Sequence, residues 1–269
     1  MGLSELLMNQ PELNEDGTEY LHDGKSLTRV TQIVNKVLPP YLAPWAEGVG
    51  HKAALEVYKR DGQLPGTAEE LKKKAIEYGL TCEDEKQAGG DRGSALHLAI
   101  EAMVRTGEPT VDLTEFENPE HRLYAQSFAE WMLDYRPEFH EAEVRIVHPD
   151  LGYAGTFDGL ATMRARPKGA RGPDMTGKKL LLDYKTNVNR KVYVTHYAQL
   201  CAYETGLEYW DVDFDGSAVV AIGPKRDKGA SYRFAPNFWE TSAWLSLLEM
   251  YRVLERQATR NPLGRKKNA

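Results

Sequence analysis

At 269 residues with 41% hydrophobic content, the chain is long enough for one α/β core with a helical addition and does not demand several independent domains. Its apolar runs, such as 180–182 and 218–222, fall far short of the roughly 20 residues a membrane-spanning helix needs, and Met1-Gly2-Leu3-Ser4-Glu5 lacks a basic leader, so a cytoplasmic protein with no membrane partner is expected. The net charge of −6 argues against a uniformly basic, nucleic-acid-coating surface, and the two cysteines, Cys82 and Cys201, have no short spacing that would suggest a disulfide framework or a thiolate metal site.

Charge is nevertheless unevenly placed. Residues 164–191 carry Arg164, Arg166, Lys168, Arg171, Lys178, Lys179, Lys185, Arg190 and Lys191 against only Asp174 and Asp183. A basic segment therefore sits inside an acidic chain, either as a solvated loop or as a phosphate-binding surface.

In chain order, residues 1–25, broken by Pro11 and Gly17, read as a loose lead-in. Apolar spacing predicts a helix from Ser26 or Thr28 to the Pro39-Pro40 stop, then helices over about 45–60 and 67–79. A further helix is expected from Ser94 to Arg105, after Gly89-Gly90, and another over 119–135. The period then changes to two: strands over 142–147 and 153–163 joined by Pro149-Asp150-Leu151-Gly152 make a hairpin, and 179–185 forms a strand after a Gly/Pro-rich basic loop. A helix over 192–205, strands near 217–222 and 231–234, and a helix over 237–259 complete the chain. The expectation is an α/β fold with a central mixed sheet of about four or five strands flanked by helices. Residues 1–90 are read as a helical N-terminal region packed on a core spanning 91–269.

Leu182-Asp183-Tyr184-Lys185 places a carboxylate and an ammonium on one face of a strand. Alone, the pair reads equally as a strand-end salt bridge. Asp158, between Phe157 and Gly159 on the preceding strand, alters the balance, because two carboxylates on neighbouring strands repel unless a cation lies between them. Oxygen ligands of this kind suit Mg²⁺ or Mn²⁺.

Four segments then fall into order: Gly93-Ser94-Ala95-Leu96-His97, Gly155-Thr156-Phe157-Asp158-Gly159, Leu182-Asp183-Tyr184-Lys185-Thr186 and Gln199-Leu200-Cys201-Ala202-Tyr203. Together they resemble the motifs of the PD-(D/E)XK nucleases, in particular the RecB-type branch that includes CRISPR-adaptation nucleases, the mitochondrial genome maintenance exonuclease and phage exonucleases. The resemblance implies a restriction-endonuclease-like core and a metal-dependent DNA nuclease of recombination, replication or repair, with DNA as substrate and recombination or replication proteins as partners in a prokaryotic or phage-infected cell. It assigns Asp158, Asp183 and the Tyr184 carbonyl as metal ligands, with His97 as a nitrogen ligand or close neighbour. Lys185 is implied as the group that positions water and offsets developing charge, with Gln199 and Tyr203 holding Lys185 and the DNA strand. Glu143 matches an acid often found on the first hairpin strand and is equally readable as a strand-edge charge. His196 shares a helix face with Gln199 and Tyr203 but lies outside the motif. Members with an iron–sulfur cluster need four cysteine thiolates; with two cysteines, no cluster is expected here.

Candidate phosphate contacts are Arg164, Arg166, Lys168, Arg171, Arg190 and Lys191; Tyr41, Trp45 and Tyr184 are candidate base-stacking rings. An exonuclease is the leading expectation. Alternatives are a structure- or sequence-specific endonuclease on the same fold, a catalytically idle DNA-binding protein, and a binding module holding a structural cation.

Overall fold

A computed structural model describes residues 2–39, 43–109, 116, 118–170, 172–227 and 229–260. The chain divides into two compact units, Pro40–Leu98 and the remainder, Met1–Pro39 with Ala99–Ala269.

The smaller unit is helical. Helices α3 (Ala43–Asp61) and α4 (Ala68–Glu77) are joined by a polar turn, and Thr67 caps α4 by accepting the Glu70 amide at 3.2 Å. Tyr78 ties the two helices together, bonded to Asp61 and covered by the Arg60 and Lys74 cations. Helix α5 (Cys82–Thr106) begins in this unit and starts twelve residues before the predicted Ser94. Thr81 and Asp84 form a reciprocal cap there, and three acids, Glu83, Asp84 and Glu85, occupy the first turn. That start outweighs Gly89-Gly90, whose cost inside a helix is only about 1 kcal/mol each.

The larger unit is an α/β assembly around a mixed eight-stranded sheet, which exceeds the four or five strands expected. The surplus comes from the segment expected to be loose. After α1 (Leu3–Met8), strands β1 (Glu12–Leu13), β2 (Tyr20–His22) and β3 (Lys25–Arg29) form an antiparallel meander. Between β2 and β3, Asp23 and Gly24 adopt φ of 49° and 71°, the left-handed pair a tight hairpin requires. Residues 26–29, predicted as the start of a helix, are therefore strand, and α2 (Val30–Val37) starts after Arg29, burying Val30, Ile33 and Val34 at helical spacing.

Helix α6 (Pro119–Tyr135) coincides with its predicted span; Asn118 caps it and Pro119 opens it. The hairpin strands β4 (Pro137–His148) and β5 (Tyr153–Met163) follow, β4 starting five residues before its predicted first residue. Next come β6 (Lys179–Thr186), α7 (Val194–Tyr209), β7 (Gly216–Ile222), β8 (Tyr232–Pro236) and α8 (Thr241–Arg260). The sheet runs β1-β2-β3-β5-β6-β7-β8, with β4 on the other edge of β5. Because β6 and β7 are parallel, they need a crossover, and α7 supplies it.

Helix α7 packs against β4, β6, β7 and α8, with α2 beside it. It is consequently buried on nearly all sides, from Ala198 to Leu207. On α8, Trp244, Leu248 and Tyr251 recur at i, i+4 and i+7 and close this layer. No helix among the described residues is long and apolar enough to cross a membrane.

One member of α7 carries a pH-dependent cost. Glu204 is 7% exposed, with Asn237 donating to it at 3.4 Å; burial pushes its carboxyl above the ordinary carboxylate range. The native state then holds that proton more tightly than the unfolded chain does. Stability is fully retained below the unfolded value of about 4.3 and falls as pH rises through the folded value. Glu204→Gln should therefore melt above the wild type at pH 7 and together with it near pH 4. Calorimetric melts at both values check this, and a lower melting temperature at pH 7 contradicts it.

Candidate functional site

Strand β5 is paired along one edge by β4 for its whole length, from His148↔Tyr153 to Pro137↔Met163. Its other edge is shared. Strand β3 takes Tyr153 and Ala154, and β6 takes Gly159 to Thr162. Gly155-Thr156-Phe157-Asp158 therefore lies at a fork, where the strands on that edge part. Asp158, 8% exposed, reaches across it and accepts the Tyr184 amide, which lies beyond the last β5–β6 pair, Gly159↔Leu182. A carboxylate side chain thus satisfies backbone that the sheet has released.

Just past the fork, Asp183 and Lys185 occupy alternate positions on β6. The Lys185 Nζ is 2.9 Å from each Asp183 oxygen, and Asp183 is 1% exposed. Burial alone would depress the Lys185 ammonium, but Asp183, Asp158 and Glu143 outweigh it and hold the group above the ordinary lysine range. Three carboxylates thus act on one ammonium. Glu143 stands on β4 opposite Asp158, between the pairs Ala142↔Gly159 and Val144↔Phe157. Its φ of 51° is left-handed, which costs a residue with a Cβ on the order of 1 kcal/mol and recurs where function constrains the backbone.

Helix α7 roofs the fork. Gln199 Nε2 donates to the Tyr203 hydroxyl at 2.8 Å, and Tyr203 is 1% exposed. Burial, then the Asp183 charge, pushes its phenol well above the usual value. Tyr203 therefore faces Asp183 and is sealed from solvent; the expected hold on a DNA strand is corrected to a contact inside the protein. Tyr184 is corrected likewise. Its side chain points to the opposite face of β6 and packs on Phe128 and Trp131, 2% exposed, which rules it out as a stacking platform.

The two glycines of the β5 motif admit these rings. A Cβ on Gly155 would lie 2.6 Å from Tyr203 Cε1, and one on Gly159 would lie 2.9 Å from the Tyr184 hydroxyl. Gly155→Ala should destabilise the protein by about 1–3 kcal/mol, since a buried ring must move. An unchanged melting temperature would contradict that close packing.

The basic residues separate into two groups. Arg164 pairs with Glu138, and Arg166 donates to the carbonyls of Ala170 and Gly172, bracing its own loop. Arg164 lies six residues beyond Asp158, about 20 Å along the strand direction, and Lys168 is exposed in the same loop. The ends of that loop, at Arg164 and Lys178, thus join β5 and β6 away from the carboxylates. Arg190 and Lys191, by contrast, follow directly from the Lys185 end of β6. Arg190 donates to the Ala230 carbonyl at 3.1 Å; burial and then the neighbouring Arg226 charge hold its guanidinium below the usual value. Arg171 and Tyr41 lie outside the described residues.

His196, outside every motif, belongs to this neighbourhood. Its Nδ1 accepts the Tyr193 amide at 3.4 Å, and burial followed by the Lys185 charge brings the imidazole down to about 3. Its spacing from Gln199 was the only signal in the sequence. His97 is half-buried on α5, within the helical unit, as Trp45, 39% exposed, is on α3.

No family model matches this chain, and no curated protein does. Among solved structures it is similar to the crystal structure of SSO0001, with 14% identity over 80% of this chain and 88% of that one, at a TM-score of 0.34.

Proposed function

We propose that this chain is a divalent-metal-dependent DNA nuclease on a PD-(D/E)XK core of the RecB type. The observation that carries the reading is the fork between β5 and β6, where Asp158, Asp183 and Glu143 act on Lys185. The ordered motifs from His97 to Tyr203 add to it.

The donor set fits a hard divalent cation. Three carboxylates around one ammonium leave an excess of negative charge in a largely buried place, and oxygen donors match Mg²⁺ or Mn²⁺. Asp158, Asp183 and the Tyr184 carbonyl would hold the ion. Glu143, across from Asp158 on β4, would add a further carboxylate oxygen, and the motif resemblance assigns His97 as a nitrogen ligand. Bound there, the ion supplies a Lewis acid for the phosphoryl oxygen and acidifies water.

The chain's own residues divide the remaining work. Lys185, held by both Asp183 oxygens, presents positive charge that does not need to reorganise as the phosphorane forms, and it orients the attacking water. Gln199 and Tyr203 fix the Asp183 side from α7. Neutral His196 adds no second cation beside Lys185. Arg190 and Lys191 lie where a phosphate backbone leaving the site would pass.

End-labelled single- and double-stranded DNA, incubated with Mg²⁺ or Mn²⁺ and with chelator, tests the proposal. Cleavage should require the cation and disappear in Asp183→Ala and Lys185→Ala. Cleavage that survives both substitutions overturns it, as does DNA binding without any turnover. A covalently closed circle separates the modes: an exonuclease leaves it intact and an endonuclease opens it.

A further inference from the structure

The first half of α7 exposes aromatic rings that the chemistry at the fork does not use. Tyr193 is 47% exposed, with the Lys191 ammonium 5.1 Å from its ring centroid. It stands edge-on to His196, centroids 5.4 Å apart, which in turn lies within reach of the Lys185 charge. One turn on, Tyr197 shares the Tyr193 face of the helix. Trp239, 37% exposed, stacks on Tyr197 at 6.2 Å and 29°, and its neighbour Phe238 is 76% exposed. A run of rings thus leads outward from beside the catalytic lysine, flanked by Lys191 and by the Arg190–Arg226 pair. Soluble proteins rarely leave such a patch uncovered without a partner.

We propose that this strip is the path of an unpaired DNA strand, with Tyr193 and Trp239 each stacking a base while Lys191 and Arg190 meet phosphates. Two features favour this occupant over a protein surface. The Lys191 ammonium stands over the Tyr193 ring with Arg190 next to it in the chain, and the strip begins at the place where a phosphodiester would be cut. A duplex does not fit the same role, since its bases are already stacked on one another and only its terminal pair has a free face. The substrate class follows: single strands, or duplex ends frayed to single strands. The assignment to DNA rests on the nuclease reading.

Binding is measured by fluorescence anisotropy in chelator, which stops cleavage. The probes are an oligothymidylate of about twelve nucleotides, an abasic strand with the same phosphates and a blunt duplex of that length. Tyr193→Ala and Trp239→Ala are each expected to weaken oligothymidylate binding by about five- to a hundredfold, while Tyr193→Phe binds as the wild type does. The abasic strand and the duplex should bind all four proteins alike. Both rings are exposed, and unchanged melting temperatures confirm that the variants fold. The proposal is overturned if the alanine variants hold oligothymidylate as tightly as the wild type, or lose all three probes equally. It is also overturned if the wild type binds no oligothymidylate, or if the substitutions convert a dimer to a monomer, which would assign the strip to a second copy of the chain. Cleavage by the wild type is scored separately. Digestion with unaltered binding in the variants removes only the strand path; ring-dependent binding without digestion removes only the nuclease reading.

Discussion

Lys185→Met is expected to lower the cleavage rate by about 10²–10³-fold or more, and to lower the melting temperature when no divalent cation is present. The physical reason is the company the ammonium keeps. Asp183 is 1% exposed, its two oxygens both lie 2.9 Å from Nζ, and the Asp158 and Glu143 charges bear on the same group. Removing one partner of a buried pair strands the other, at a cost of about 3–5 kcal/mol. At roughly 2–4 °C per kcal/mol for a chain of this size, the shift is on the order of 10 °C. Asp183→Asn should abolish cleavage as thoroughly but lose less stability, because it removes a negative charge from a cluster that has too many. Adding Mg²⁺ or Mn²⁺ should return part of the lost stability to Lys185→Met, by about 2.7 kcal/mol at a hundredfold excess over the dissociation constant. Thermal melts with and without cation, read beside cleavage rates, check all three statements. Retained cleavage in Lys185→Met would remove the lysine from the chemistry.

What the sequence conveyed about this site was which polar residues stand on β5 and β6; what it withheld was how they meet. Asp183 and Lys185 were legible because a period of two puts them on one face of an apolar strand, and the structure pairs them. The fork was not legible, because it arises when β3 and β6 share an edge of β5, and neither pairing leaves a trace in local spacing. The same limitation explains Glu143, whose weight comes from standing across from Asp158 and from a left-handed backbone that no local pattern announces.

Other differences had signals that lost to louder ones. His22-Asp23-Gly24-Lys25 holds the turn dipeptide of a tight hairpin, yet polar residues and Pro11 made the whole segment read as loose. Thr81 and Asp84 announce the start of α5 twelve residues before Ser94, but two successive glycines argued for a break. The basic loop is a different kind of case. Its charge was legible, and its distance from the carboxylates was not, because that depends on which end of β5 the loop joins.

The fold reaches the site most directly through Trp131. It is wholly buried on α6 and touches Phe128, Tyr135, Phe139, Tyr184 and Phe234, with ring centroids 5.2–6.5 Å away. Tyr184 is the residue between Asp183 and Lys185, and its amide is the one Asp158 accepts. Packing on one face of β6 therefore sets the backbone from which the other face presents its chemistry. Trp131→Ala should cost about 3–5 kcal/mol, the usual loss when a fully buried tryptophan leaves a cavity. Trp131→Phe should cost much less, because a ring remains against Tyr184 and the indole N–H it removes has no acceptor among the described residues. If packing only holds the protein together, both variants will cleave DNA at the wild-type rate well below their melting temperatures. If it also fixes the fork, Trp131→Ala will cleave more slowly there while remaining folded by circular dichroism. The slower rate is the expected result, because the hole opens directly beneath the residue whose backbone anchors Asp158.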